Sequence, residues 1–219
     1  SDPKKLNVFK QKIQDSFENK TKINNYYNAI INNPKLSQSI QDLISPIIIN
    51  LQDKKKTDSK IKQEIDNGTR FITTLCGLMM LSPFLATLFR RMGLLEKNSF
   101  ISEAEQLKAY KVLMTIPKID EEREYEYQDL IPRIITGIAP EDTIHYVPEL
   151  TEAELTEIRN FLGAVISQWP VMSNATVRGF IESFLIRDGK VWKDGTVWKI
   201  EVNGHGADMI LQTLTWGFS

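Results

Sequence analysis

The stretch Thr151-Glu152-Ala153-Glu154-Leu155-Thr156-Glu157-Ile158-Arg159-Asn160-Phe161-Leu162-Gly163-Ala164-Val165-Ile166-Ser167-Gln168-Trp169-Pro170 decides how this chain folds. Thr151 and Glu154 are spaced as a capping box. The hydroxyl takes the N3 amide and the carboxylate reaches back to the N-cap amide. Leu155, Ile158, Phe161, Leu162, Val165, Ile166 and Trp169 then recur on one face for nearly five turns. Pro170 ends the segment, because a proline inside a helix removes a backbone donor and clashes with the preceding turn.

Downstream, Ser173 or Asn174 is expected to cap a short helix with Val177, Phe180, Ile181, Phe184 and Leu185 inward. Lys190–Lys193 and Thr196–Val202 read as strands joined through Asp194-Gly195, a tight-hairpin signal. A lone hairpin is marginal in water, so this one must lie on the helices or on another chain's sheet. Gly204–Thr213 reads as a last short helix.

Upstream, Glu103–Met114 forms a helix with Leu107, Tyr110, Val112 and Leu113 on its apolar side, and Leu130–Ile135 another that stops at Gly137. Phe71–Phe89 is nineteen residues without a charge, close to the length that spans a bilayer. Thr73, Thr74, Ser82 and Pro83 argue against lipid. Ser82-Pro83 reads as the N-cap and first-turn proline of a second helix, ending at Arg90-Arg91-Met92-Gly93. Two buried helices meeting at a corner then explain the run. Leu6, Phe9, Ile13 and Phe17 share a helical face, Leu36–Leu51 is a second apolar segment, and residues 53–60 are a polar linker. Ile61 and Ile65 suggest a short helix stopped at Asn67-Gly68.

The expected fold is therefore mainly α with a small C-terminal β-hairpin, an α+β, bundle-like domain over residues 68–219 preceded by a helical arm over 1–67. The 42% hydrophobic and 25% charged fractions are those of a globular protein. A net charge of -1 gives no global attraction to nucleic acid or anionic membrane. The charge is graded: residues 1–68 hold 12 Lys/Arg against 8 Asp/Glu, and residues 121–160 hold 3 against 11. Such halves could steer a partner or pair copies of the chain. The single cysteine, Cys76, excludes an intrachain disulfide. No charged n-region followed by an apolar core and cleavage site opens the residues given.

No catalytic constellation emerges. His205 and Asp208 could serve acid–base or metal chemistry, but the only other histidine is His145 and no cysteine is nearby in sequence, so a turn histidine at a helix start is the expectation. Cys76 lacks the base and electropositive setting of a nucleophile. Gly204-x-Gly206 lacks the third glycine of a dinucleotide loop. Glu121, Glu122, Glu124 and Glu126 lack the spacing and glycine of a calcium loop. No cofactor and no metal site is expected. Trp169, Trp192, Trp198 and Trp216 all fall in the C-terminal unit. Trp192 and Trp198, an even number of residues apart, could share one side of the hairpin. Core packing competes with an exposed aromatic face here, since tryptophan concentrates at interface hot spots. Trp192, Trp198 and Trp216 are the residues expected to dock a partner, with the basic arm as a second surface.

Three segments together resemble the contractile injection system tape measure proteins. They are Gly77-Leu78-Met79-Met80-Leu81-Ser82-Pro83-Phe84-Leu85 with Leu88-Phe89 and Gly93-Leu94-Leu95; Leu130-Ile131-Pro132-Arg133-Ile134-Ile135-Thr136-Gly137; and Leu150–Glu154 with Phe161–Ile166, Gln168-Trp169-Pro170, Asn174–Phe180, Phe184-Leu185 and Arg187-Asp188-Gly189. Leu211–Trp216 is similar to the family's Leu-Pro-Trp, with Thr215 in place of proline. The resemblance covers roughly residues 68–219, and residues 1–67 carry none of it. It implies a non-enzymatic component of a phage-tail-like particle, assembled in the cytoplasm. The implied partners are inner tube, spike or baseplate proteins, with self-association a further possibility and no nucleic acid. A membrane-associated component or an adaptor of a secretion apparatus is the alternative. Even fully helical, 219 residues reach only about 330 Å at 1.5 Å per residue, so the chain is a poor ruler by itself.

Overall fold

Apolar periodicity and caps set the helical elements. In the computed structural model, which describes residues 60–66, 68–120 and 127–217, helix α1 covers residues 60–66. Lys60, expected in the linker, opens it. Strand β1 follows (Phe71–Thr73), then a 3-10 helix (Cys76–Leu81) and α2 (Ser82–Arg91). A small hairpin joins β2 (Leu95–Glu96) to β3 (Ser99–Phe100). Helices α3 (Glu103–Thr115), α4 (Leu130–Thr136) and α5 (Glu152–Ser167) come next. Helix α6 (Val177–Phe180) runs into a π-helical turn, Ile181–Leu185. Strands β4 (Gly189–Asp194) and β5 (Val197–Val202) precede a final 3-10 helix, Gly206–Thr213. The fold is mixed α+β and mainly helical. All described residues belong to one compact unit. The apolar faces expected at Leu6–Phe17 and Leu36–Leu51, and the Glu121–Glu126 cluster, lie outside the described residues.

The capping box of α5 is present, with Thr151 N–H donating to Glu154 Oε2 at 2.8 Å and Glu154 N–H to Thr151 Oγ1 at 3.3 Å. Its stripe is the middle of the core: Ile158, Phe161, Leu162, Val165, Ile166 and Trp169 are all buried. The same core cluster holds Leu78, Leu81, Leu85 and Leu88 from the 3-10 helix and α2, Val112 and Leu113 from α3, and Phe180, Phe184 and Leu185 from α6 and its π turn. Gly137 ends α4 at φ +75°, where a side chain would be strained.

Three local expectations are corrected. The two buried helices expected in Phe71–Phe89 are the 3-10 helix Cys76–Leu81 and α2, but its first residues, Phe71–Thr73, are β1. Phe71, Ile72 and Thr73 are aromatic or β-branched and suit a pleated surface. Leu75, at φ +54°, then turns the chain into the tighter helix. Ser82 lies within α2 and does not cap it, since the N-cap residue Leu81 has no side-chain cap bond. The cap of α6 is Thr176, whose Oγ1 accepts from Gly179 N–H at 3.0 Å, while Ser173 and Asn174 close the turn after Pro170–Met172. Among the described residues no helix is long and apolar enough to cross a membrane.

The C-terminal hairpin does lie on the helices, and it gains a third strand. The sheet order is β1-β4-β5, all antiparallel, with Phe71 opposite Val191 and Val191 opposite Ile200. Gly195, at φ +61°, and Thr196 form the loop, one residue later than Asp194-Gly195.

Candidate functional site

Cross-strand pairing fixes which way each sheet residue faces. Directly opposed residues share a face. Asp194 pairs with Val197, so a two-residue loop separates the strands. Residues an even number apart across such a loop fall on opposite faces. Trp192 is opposite Lys199, and Trp198 is opposite Lys193. The two tryptophans therefore do not share a side, which corrects the expectation from spacing alone.

Trp198 shares the inner face with Thr73, Gly189, Val191 and Ile200, the side carrying the buried residues. It lines a cleft of about 280 Å³ with Lys62, Asp66, Ile138, Glu141 and Lys193. Lys193 Nζ is 3.8 Å from Asp66 and Lys62 Nζ 3.7 Å from Glu141. Trp192 lies on the outer face with Ile72, Lys190, Val197, Lys199 and Glu201. The Arg70 guanidinium lies 4.6 Å from its ring centroid, a cation–π contact. Ile72 is 75% exposed and Val197 59%, so this face presents three apolar side chains among paired charges.

Trp216 is engaged with the core. Its ring meets Phe84 edge-on at 5.0 Å and Trp169 at 6.0 Å, and its Nε1–H donates to the Met80 carbonyl at 3.1 Å. Trp169, fully buried, donates from Nε1 to Thr213 Oγ1 at 2.8 Å. Thr215 Oγ1 donates to the Gln168 carbonyl at 2.7 Å. These bonds strap residues 206–216 across the end of α5. Thr215 supplies one of them.

His205 and Asp208 form a second capping box. Asp208 Oδ2 accepts from His205 N–H at 2.8 Å, and His205 Nδ1 accepts from Ala207 N–H at 3.2 Å. Asp208 also takes Arg187 in a two-pronged pair, at 2.7 and 3.1 Å, and Arg187 donates to the Asn203 carbonyl. Arg187 is 7% exposed. The Arg187 guanidinium, joined by the His205 amide, holds the Asp208 carboxyl below the usual carboxylate range. Both oxygens of Asp208 thus serve the helix start and the buried cation. Sequence reasoning missed Arg187, whose one signal is its place in Arg187-Asp188-Gly189 before the hairpin.

Cys76 is fully buried, and burial followed by the Asp188 charge raises its thiol to about 11. Its Sγ–H contacts the Thr73 carbonyl at 3.7 Å. A thiol held so far above neutral pH is protonated and a poor nucleophile. Arg133 reaches Asp129 at 2.7 Å and the Asp142 carbonyl at 2.8 Å, fastening the segment after α4. Tyr110 O–H donates to the same Asp129 at 2.8 Å. Among the described residues no group of three or more His, Cys, Asp or Glu is placed to hold a metal ion.

Trp169, Trp216, Arg187 and Asp208 thus serve the core, an ion pair and a cap, in a packing domain whose outer sheet face is partly apolar. The chain belongs to the contractile injection system tape measure protein family, whose model matches residues 2–219. That match takes in residues 2–67, so the resemblance is wider than the 68–219 read from motifs. Membership supports a structural role in a contractile particle. No curated protein and no solved structure matches the chain.

Proposed function

We propose that this chain is a non-enzymatic assembly protein of the tape-measure type, helping to set or terminate the inner tube at the baseplate or spike end. The family match over residues 2–219 carries the reading. The packing of the described residues into one compact unit supports a docking piece over an extended ruler.

Residues 68–219 act as the docking domain and the basic residues of 1–67 as an arm. Assembly takes place in the cytoplasm, against inner tube, spike or baseplate proteins. Docking runs through the tryptophans in three ways. Trp192 offers the outer sheet face with Ile72 and Val197, Trp198 borders the cleft beside Lys193, and Trp216 holds the strap that shapes the end of α5. The exposure of Ile72 and Val197 beside Trp192 supports this surface. The test is Ile72→Asp combined with Trp192→Ala. The account expects a folded chain that is lost from purified particles. Incorporation at the wild-type level contradicts the docking assignment.

A further inference from the structure

Strand β5 ends the sheet: its partner on one side is β4, and among the described residues no strand pairs with its other side. Asn203 N–H bonds the Asp188 carbonyl. With the β4–β5 register, this makes 197, 199, 201 and 203 the residues that bond β4. The backbone N–H and C=O of Trp198, Ile200 and Val202 therefore point away from the sheet. No described residue hydrogen-bonds them. An edge of this kind is a template for another strand unless it is covered, bulged or broken by proline. Val197–Val202 contains no proline and pairs with β4 without a bulge.

The side chains say which strand fits. Lys199 and Glu201 flank Ile200 on the outer face, each with a side chain 51% exposed. A two-fold axis through Ile200, normal to the sheet, sets Ile200 opposite Ile200 of a second copy. Lys199 then lies opposite Glu201 of that copy, and Glu201 opposite its Lys199. These are non-hydrogen-bonded pairs, the kind whose side chains come closest, at about 4.5 Å between Cα atoms. On the inner face Trp198 meets Val202 of the second copy, an aromatic–β-branched pair. Val202 is 42% exposed in the isolated chain. The same axis makes Trp198, Ile200 and Val202 the hydrogen-bonded positions, so their free backbone groups form about six new bonds. Backbone parity, charge and apolar exposure agree on one register.

We propose that β5 is a self-association edge, through which two copies of this chain join their sheets antiparallel about Ile200. The charge pattern is complementary to itself under this axis, which a strand from a different protein does not require. The proposal does not depend on the family reading.

Sedimentation velocity on the full chain across the micromolar range tests it, and a species of twice 25.2 kDa is expected. Ile200→Pro removes an outward-facing donor that β4 does not use. It is expected to keep the circular dichroism and melting temperature of the parent and to weaken dimerisation by tenfold or more. Lys199→Glu and Glu201→Lys each place like charges opposite one another twice, so each alone is expected to be largely monomeric. Mixed in equal amounts, the two variants restore both opposite-charge pairs and the dimer. A chain that stays monomeric overturns the proposal. So does a dimer that survives Ile200→Pro, or a mixture that fails to associate. These readouts use the isolated chain, so such a failure leaves the assembly role standing.

Discussion

Arg187 and Asp208 form a two-pronged ion pair across twenty-one residues of sequence, with Nη1–Oδ1 at 2.7 Å and Nη2–Oδ2 at 3.1 Å. The pair joins the end of the π turn to the start of the last 3-10 helix and spans the intervening hairpin. Asp208→Ala leaves a nearly buried guanidinium without its counter-charge. The expected cost is about 2 kcal/mol, below the full penalty for a buried pair because Asp208 keeps some contact with water. Urea unfolding measures it.

The same pair sets a pH dependence. Asp208 has its folded pKa below its unfolded value. Its stabilisation is therefore present above the ordinary carboxylate value of about 3.9 and is lost as pH falls below it through the lowered folded value. Unfolding at pH 7 and pH 3 is expected to show a smaller difference for Asp208→Asn than for the parent.

Gly77 lies against the π turn. A Cβ built on it falls 1.7 Å from the Phe184 carbonyl oxygen and 2.7 Å from the carbonyl carbon. Backbone cannot rotate away as a side chain can. Gly77→Ala is expected to cost about 3 kcal/mol or to prevent folding. Gly163→Ala, with nothing within 4 Å and a helical backbone, is the matched control and is expected to be neutral or slightly stabilising.

Trp216→Ala removes the Phe84 and Trp169 edge contacts and the bond to Met80, for an expected loss of about 3 kcal/mol. Trp216→Phe keeps most of the packing and loses only the bond, about 1 kcal/mol. Thermal melts followed by tryptophan fluorescence separate the two.

Cys76 is expected to resist thiol reagents in the folded chain at pH 8 and to react in urea, because it is both buried and protonated. Modification at the unfolded rate under native conditions contradicts the core assignment.

Local signals carried much of this fold. The Thr151–Glu154 box, the α5 stripe, the Gly137 stop and the α3 face are properties of neighbouring residues, and the structure has them. What was not legible is non-local. Nothing near Phe71–Thr73 announces that it pairs with Gly189–Val191, so an uncharged run read as helix. Trp192 and Trp198 fall on opposite faces for a two-residue loop at either Asp194-Gly195 or Gly195-Thr196, because partners across such a loop are an odd number apart, which even spacing alone does not reveal. Arg187 could be read as a surface charge until Asp208 and Asn203 were brought to it. Of the docking residues, sequence named the tryptophans. Only the strand register separated the outer Trp192 from the inner Trp198, and only tertiary packing put Trp216 against Phe84.

A structural role in the particle means that removing this chain disturbs the particle's building. Electron microscopy of particles from cells with and without it, counting inner tubes and measuring their lengths, tests that most directly. Cells lacking the chain are expected to yield few tubes or tubes of scattered length, and the intact gene is expected to restore one length. Particles of unchanged number and uniform, unaltered tube length without it would contradict the account.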